Sequence, residues 1–142
     1  MKILLAACNA KYIHSNLAVF NLKAYAKEYQ SNIVLREYTI NQLKDDILKD
    51  IYRNHPDVIC VSCYIWNITF VQELMQDLRK ILPDVPFWAG GPEVSYDGEQ
   101  FLRRNPAFNG VMLGEGEETF LELVKHYVDG TVSLEETAGI VY

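Results

Sequence analysis

The sequence lacks the long apolar run that a membrane span requires. No stretch approaches the roughly 20 consecutive apolar residues needed to cross a bilayer. The apolar start, residues 1–7, meets polar Asn9 and Lys11 too soon for a signal peptide. We therefore expect a soluble, cytoplasmic protein. With 142 residues, 49% of them hydrophobic, the chain is about one domain long and has enough apolar material for a core.

Cysteine is scarce, and the chain has only three. An odd number without an export signal argues against a disulfide framework and for reduced thiols. Cys60 and Cys63 have C-x-x-C spacing, but Cys60 falls inside a predicted strand, where side chains three residues apart point to opposite faces. We predict packed thiols rather than a redox or metal pair.

Positive charge is also in short supply. The 13 Lys and Arg residues are outnumbered by 19 Asp and Glu residues, and the net charge is -6. The basic residues are scattered among carboxylates, whereas nucleic-acid binding draws its affinity from clustered Lys and Arg. We expect no nucleic-acid partner and no membrane partner.

The usual phosphate-binding fingerprints are absent. No G-x-G-x-x-G follows the first apolar run, no G-x-x-x-x-G-K-[ST] occurs, and residues 114–116 would present a carboxylate to a phosphate. The Ser/Thr-rich phosphate loop of flavodoxins and the acidic cluster of receiver domains are missing as well. Glu93 and Asp97 are loop carboxylates with no organising partner, so we predict no catalytic residue in this chain.

What the sequence does contain is an alternation of short apolar runs and helical periodicity. The short runs are continuous, as in strands that helices cover on both faces. They predict strands at 2–7, 33–38, 57–62, 85–89, 110–113 and 138–142. Helices are predicted at 17–29, capped by Ser15 or Asn16; at 43–51, capped by Thr39 or Asn41; and at 67–82, 96–104 and 115–127.

This alternation predicts an α/β fold. Helices long enough to be crossovers imply a parallel sheet with right-handed connections and helices on both faces. We expect a flavodoxin-like, Rossmann-like doubly wound sheet in three α/β/α layers, with strand order 2-1-3-4-5. We expect residues 1–142 to form one domain. Its end right after an apolar strand fits a domain excised from a longer polypeptide, and a natural terminus at such a strand is the open alternative.

The strand-to-helix loops are the candidate ligand site, because ligands of such sheets bind outside the carboxyl ends of the strands. Tyr12, Tyr64 and Trp66 can cover an apolar ligand face, and Gly90-Gly91 permits close approach. A large flat ligand such as a tetrapyrrole suits these loops. Equally, the aromatics can be hydrophobic cover, the glycine pair a tight turn, and residues 114–117 a helix start.

Four segments carry a family resemblance: Asn-Ala-Lys-Tyr-Ile-His at 9–14, Tyr-Ile-Trp-Asn at 64–67, Gly-Gly-Pro-Glu-Val-Ser-Tyr at 90–96 and Gly-Glu-Gly-Glu at 114–117. Together they resemble the amino-terminal domain of cobalamin-dependent radical S-adenosylmethionine enzymes of the anaerobic magnesium-protoporphyrin monomethyl ester cyclase-like group. The resemblance spans essentially the whole chain. The C-x-x-x-C-x-x-C motif of the catalytic domain that follows in that family does not occur here.

The resemblance implies particular roles for the loop residues. Ser62 would touch the nucleotide tail of cobalamin, and Gly90 and Gly91 would lie beside that tail. The D-x-H-x-x-G motif of methionine-synthase-like domains is absent around His14, so we predict contact with the corrin by this loop and no metal ligand. The candidate cofactor-binding residues are Asn9, Tyr12, His14, Ser62, Cys63, Tyr64, Trp66, Asn67, Gly90, Gly91, Pro92, Glu93, Gly114, Glu115 and Gly116.

The function that the resemblance implies is cofactor binding without catalysis. The domain would present cobalamin to a radical S-adenosylmethionine domain of the same polypeptide, which would hold S-adenosylmethionine and a 4Fe-4S cluster for methyl transfer or cyclase-like chemistry. One alternative is a cofactor-free interaction module that packs on a catalytic partner. Another is a stand-alone flavin or small-molecule binder, which the missing phosphate loop disfavours.

Overall fold

Strands and helices alternate along the chain in a computed structural model, which describes residues 1–10, 17–114 and 116–142. The strands are β1 (Ile3–Asn9), β2 (Ile33–Thr39), β3 (Val58–Ser62), β4 (Phe87–Gly90), β5 (Gly110–Met112) and β6 (Ile140–Val141). The helices are α1 (Leu17–Tyr25), a 3₁₀ helix (Lys27–Asn32), α2 (Lys44–Arg53), α3 (Ile68–Ile81), α4 (Pro92–Ser95), α5 (Gly98–Arg104) and α6 (Glu117–Val128). Among these helices, none has the length and apolar character needed to cross a bilayer.

The six strands form one sheet in the order β2-β1-β3-β4-β5-β6. The first five are parallel, which confirms the predicted doubly wound sheet and its 2-1-3-4-5 order. The prediction of a fully parallel sheet is wrong for β6, which pairs with β5 in the antiparallel sense. The segment after α6 returns to the carboxyl end of β5, where the Gly139 carbonyl accepts a hydrogen bond from the Leu113 N–H at 2.7 Å. The chain therefore enters β6 from that end.

Two apolar clusters, one on each face of the sheet, form the core. On one face, alternate residues of β1 and β3 pack with α2, α3 and α5, and Leu4, Ile59 and Leu74 are buried there. On the other face, the intervening residues pack with α1 and α6, around Leu5 and Phe120. Every residue of β1 and β3 is buried. This explains their continuous apolar runs and confirms the three-layer arrangement.

The start of α2 differs from the prediction of a Thr39 or Asn41 cap. The helix begins at Lys44, and the preceding residue, Leu43, makes no side-chain cap bond. The Gln42 side chain instead accepts a hydrogen bond from the Thr39 N–H at 2.8 Å, which keeps the chain in a turn there. A polar residue near a helix start therefore did not identify the cap.

The helix predicted at 96–104 is α5, which begins at Gly98, and a further short helix, α4, precedes it where only a turn was predicted. The side chain of Asp97 accepts a hydrogen bond from the Gln100 N–H at 3.1 Å and so begins α5 as an N-cap. Pro92 suits the first turn of α4, where an N–H is not needed. This break places α4 directly behind the carboxyl end of β4.

Candidate functional site

A slot of about 420 Å³ opens at the carboxyl ends of the central strands, on the face covered by α1 and α6. Its volume falls within the roughly 300–1,000 Å³ of small-molecule pockets. Strands β1, β3, β4 and β5 supply its floor, and α1 and the loops after β3, β4 and β5 supply its walls. The lining residues are Leu5, Ala18, Val19, Leu22, Cys60, Val61, Ser62, Tyr64, Gly90, Gly91, Pro92, Ser95, Met112, Gly114 and Gly116.

The floor of the slot is apolar, and its side chains are buried. Leu5 and Cys60 are register partners on β1 and β3, and they are 2% and 1% exposed. Met112 on β5 is 5% exposed and packs in the same cluster. Ser62 lies two residues beyond Cys60, and because strand side chains alternate, it faces the same way. Ser62 is the register partner of Gly90, so the two lie side by side at the sheet's edge.

Gly91 has a backbone conformation that only glycine adopts readily, with φ +104° and ψ 172°. A Cβ atom on it would lie 2.5 Å from the Cys63 carbonyl oxygen. The Cys63 N–H donates to the Gly90 carbonyl at 2.7 Å, and its carbonyl accepts from the Glu93 N–H at 3.3 Å. The glycine pair therefore lets the turn after β4 press against the end of β3, and the close approach is to the chain's own backbone.

Ser95 connects two walls of the slot. Its hydroxyl donates to the Gly91 carbonyl at 2.8 Å and accepts from the Gly114 N–H at 3.2 Å. The turn after β4 is thus tied to the loop after β5. Sequence reasoning did not select Ser95, although a serine one helical turn after Gly91 is placed for this bond to the carbonyl four residues earlier.

Asn67 links the ends of β1 and β3 through hydrogen bonds of its side chain. It is 1% exposed, and its side-chain amide donates to the carbonyls of Cys8 at 2.9 Å and Ser62 at 3.2 Å. Its side-chain oxygen accepts from the Tyr64 N–H at 2.8 Å. All these partners are backbone groups, so the described role of Asn67 is to fix the loops that surround the slot.

Tyr64 and Trp66 stack on each other beside the slot and leave it open. Their ring centroids are 4.3 Å apart, and the ring planes differ by 11°. Tyr64 lines the slot, whereas Trp66 is 50% exposed at the rim. The neighbouring Ile65 is 78% exposed. These residues form an exposed apolar rim rather than a plug.

The structure brings together about half of the candidate residues predicted from the sequence. Seven of them line the slot: Ser62, Tyr64, Gly90, Gly91, Pro92, Gly114 and Gly116. Five do not line it: Asn9, whose amide donates to Glu37 at 3.4 Å, and Cys63, Trp66, Asn67 and Glu93. Tyr12, His14 and Glu115 lie outside the described residues, as do the cap candidates Ser15 and Asn16.

The lining residues that sequence reasoning missed are mainly apolar: Leu5, Ala18, Val19, Leu22, Cys60, Val61 and Met112, together with Ser95. Most of them belong to strands or to the inner face of α1, where they follow the same pattern as core residues. No signal in the sequence separates a slot floor from ordinary core. Only the three-dimensional arrangement identifies them.

The three thiols are buried, and Cys60 and Cys63 belong to clusters on opposite faces of the sheet, as predicted. In the described ranges, no group of three or more His, Cys, Asp or Glu side chains is placed to hold a metal ion. Burial raises the pKa of Cys8 to about 12 and that of Cys60 to about 12, from an ordinary 9.0. Burial also raises the pKa of Cys63. The folded chain therefore keeps these thiols neutral and poorly reactive.

These raised pKa values predict a loss of stability in alkali. Above pH about 9 the unfolded chain ionises its thiols while the folded chain does not, so the free energy of unfolding is intact below that pH and falls above it. Each thiol contributes up to about 1.4 kcal/mol per pH unit. Urea unfolding between pH about 8 and 10 measures the slope. The Cys8→Ala variant should show a shallower slope, and an unchanged slope would contradict the assignment.

A family model identifies the family of this chain, and curated relatives resemble it in sequence. The sequence model of the family described as B12 binding domain matches residues 3–124. The chain is 30% identical over 101 residues to the cobalamin-dependent radical SAM methyltransferase TokK of Streptomyces tokunonensis. It is 33% identical over 99 residues to cytidylyl-2-hydroxyethylphosphonate methyltransferase of Streptomyces wedmorensis. The matches cover 71% and 69% of this chain, but only 14% and 18% of those proteins.

A solved structure with the same fold is the cobalamin-dependent S-adenosylmethionine radical enzyme OxsB with aqua-cobalamin and S-adenosylmethionine bound. The TM-score is 0.80 at 21% identity, over 99% of this chain and 20% of that chain. The likeness shows a shared fold, and the chain spans a fifth or less of the length of each of these relatives. Because the family model matches most of its length, the chain belongs to the B12 binding domain family.

Proposed function

We propose that this domain binds cobalamin at the carboxyl edge of its sheet, with the nucleotide tail in the slot. The observation that carries the proposal is the slot itself, an apolar cavity of about 420 Å³ between the Ser62 end of β3, the Gly90-Gly91 turn and α1. Ligands of open α/β sheets bind in this position, outside the carboxyl ends of the strands. Membership in the B12 binding domain family supports the same ligand.

The residues present suit the chemistry of cobalamin. The base of the nucleotide tail is a flat aromatic group, and the floor at Leu5, Cys60 and Met112 offers it an apolar surface. Tyr64 and the exposed Trp66 offer aromatic faces at the rim, where the corrin edge would lie. None of the described lining residues is charged, so the phosphate of the tail would stay toward the solvent-facing mouth.

Bound cobalamin can carry a methyl group on cobalt, and we propose that this domain holds it for a radical S-adenosylmethionine domain of the same polypeptide. The relatives TokK and OxsB carry that enzyme class in their names, and the matched region is a small part of each. We propose methyl transfer as the reaction of the whole protein, since two of these relatives are named methyltransferases. The narrower cyclase-like specificity has no support among them.

In this proposal the chain's own residues bind and orient the cofactor and perform no chemical step. S-adenosylmethionine and a 4Fe-4S cluster would belong to the partner domain. A cytoplasmic location stays a prediction from the sequence. Ser95 and Asn67 would keep the loops around the slot in place, because both bond to backbone groups of those loops.

Titration with hydroxocobalamin tests the proposal. We expect a saturable change in the visible corrin spectrum that ends at one cofactor per chain. Ala18 is exposed on α1 and lines the slot, so Ala18→Trp should fill the mouth and weaken binding about tenfold or more, or by about 1.4 kcal/mol. Ala24→Trp is the matched control, because Ala24 is exposed on the same helix and does not line the slot.

The outcomes separate the alternatives. No saturable spectral change with the unmodified chain would favour the cofactor-free interaction module. Equal weakening by both tryptophan variants would place the cofactor elsewhere than the slot. A preparation that carries flavin and does not exchange it for hydroxocobalamin would favour the flavin binder.

A further inference from the structure

We infer that the slot selects among cobamides by the base of their nucleotide tail, and that it accepts an apolar benzimidazole in preference to adenine. This inference rests on the proposed function and adds a specificity to it. The inference depends on a contrast in polarity between the floor of the slot and the residues around its mouth. The described floor residues Leu5, Cys60 and Met112 are apolar, and the hydroxyls of the described lining residues belong to Ser62, Tyr64 and Ser95 at the ends of the strands and in the loops.

The floor has almost no hydrogen-bonding capacity to offer a ligand. Its side chains at Leu5, Cys60 and Met112 are a hydrocarbon, a buried thiol and a thioether, and the last two are at most weak hydrogen-bonding groups. Leu5 and Cys60 lie in strands that pair with neighbours on both sides, so their backbone groups are used by the sheet. A base lying on this floor meets carbon and sulfur atoms.

The polar side chains among the described lining residues are Ser62, Tyr64 and Ser95, and none of the three is without an interaction partner. The hydroxyl of Ser95 both donates to Gly91 and accepts from Gly114. The amide of Asn67, close beneath the rim, is fully used by backbone partners. Among the described side chains, an adenine amino group that entered the slot would have to displace one of these interactions or remain without a partner.

The two bases therefore differ in what they lose on entering. Dimethylbenzimidazole carries two methyl groups on its six-membered ring and gains from apolar burial. Adenine carries an amino group on its six-membered ring and two additional nitrogens within that ring, and these would lose hydrogen bonds to water without replacement. Specificity then arises from the unpaired polar groups of the disfavoured base.

Three corrinoid probes test the inference on the 142-residue chain under reducing conditions. They are hydroxocobalamin, the adenine-containing cobamide, and cobinamide, which lacks the base. We expect hydroxocobalamin to bind about tenfold or more tightly than the adenine cobamide, equivalent to about 1.4 kcal/mol. Cobinamide should also bind more weakly than hydroxocobalamin. Equal or tighter binding of the adenine cobamide would overturn the inference alone, whereas no binding of hydroxocobalamin would overturn the proposed function as well.

A matched pair of serine variants assigns the preference to the floor. Cys60→Ser places a hydroxyl on the floor and should reduce the preference for benzimidazole by about threefold or more, or by about 0.7 kcal/mol. Cys8→Ser makes the same change in an equally buried thiol on the opposite face of the sheet, and it should leave the ratio of the two affinities unchanged. Because the readout is a ratio, a general loss of stability does not imitate it. An unchanged ratio in Cys60→Ser, or an equal change in both variants, would overturn the role of the floor.

Discussion

Replacing Gly91 by alanine should lower the free energy of unfolding by about 3–5 kcal/mol. Two costs add at this position. The backbone has φ +104° and ψ 172°, a region that residues with a Cβ atom avoid. In addition, the new Cβ would lie 2.5 Å from the Cys63 carbonyl oxygen and 3.0 Å from its nitrogen, so two backbone segments would have to separate.

That separation would also affect the slot, because it breaks the bonds that hold the turn after β4 against β3. The Cys63 N–H to Gly90 carbonyl bond of 2.7 Å and the Glu93 N–H to Cys63 carbonyl bond of 3.3 Å both cross this contact. We therefore expect Gly91→Ala to weaken cobalamin binding as well as stability. Urea unfolding and the spectral titration measure the two effects separately.

Gly130→Ala is the matched control for the strain. Gly130 has φ +67°, and a Cβ there would meet nothing within 4 Å. Only the left-handed backbone cost of about 1–2 kcal/mol applies. A Gly91→Ala loss no larger than that of Gly130→Ala would show that the contact with Cys63 is not rigid and would contradict the prediction.

The order of the strands could be predicted from the sequence because burial of the strands on both faces produces a recognisable pattern of apolar residues. β1 and β3 are buried along their whole length, and a continuous apolar run is what that burial requires. Alternation with helices then restricts the topology to a few arrangements. The direction of β6 was not accessible, since two residues carry no pattern and their pairing depends on how the chain returns after α6.

Residues of the site could be predicted from the sequence only where their chemistry differs from that of core residues. Ser62, Gly90 and Gly91 stand out because a polar residue and two glycines interrupt buried strand ends. The floor does not stand out, because Leu5 and Met112 are indistinguishable in sequence from residues that pack against helices. Asn67 was selected as a cofactor contact, and its described bonds are long-range contacts to the chain's own loops that no local pattern encodes.

Gly91, Ser95 and Asn67 have a common structural role around the slot. Gly91 lets two loops touch, Ser95 bonds the loop after β4 to that after β5, and Asn67 bonds the end of β1 to the end of β3. All three residues contact backbone atoms, so their role is to hold the loops in position and not to recognise the ligand. A slot held in this way is preorganised before the cofactor arrives, which lowers the ordering cost of binding.

The Asn67→Asp variant tests this design most severely. The substitution keeps the size of the side chain but replaces an amide donor, which faces the carbonyls of Cys8 and Ser62, by a carboxylate oxygen. At 1% exposure the charge has no access to water, so we expect a loss of about 3–5 kcal/mol at pH about 7. Asn105→Asp is the matched control, because Asn105 is 7% exposed and its amide donates to one carbonyl within its own helix turn.

The pH dependence of this loss distinguishes a buried charge from a simple packing defect. Burial and the two facing carbonyls raise the pKa of the introduced carboxyl in the folded state above its unfolded value of about 3.9. The folded state therefore binds the proton more tightly, and the stability deficit is smallest at low pH and grows as the pH rises toward the folded pKa. Relative to the unmodified chain, urea unfolding should show a deficit about 1–2 kcal/mol smaller at pH about 5 than at pH about 7. A deficit that is constant across this range, or one no larger than that of Asn105→Asp, would mean that the loops around the slot do not depend on Asn67.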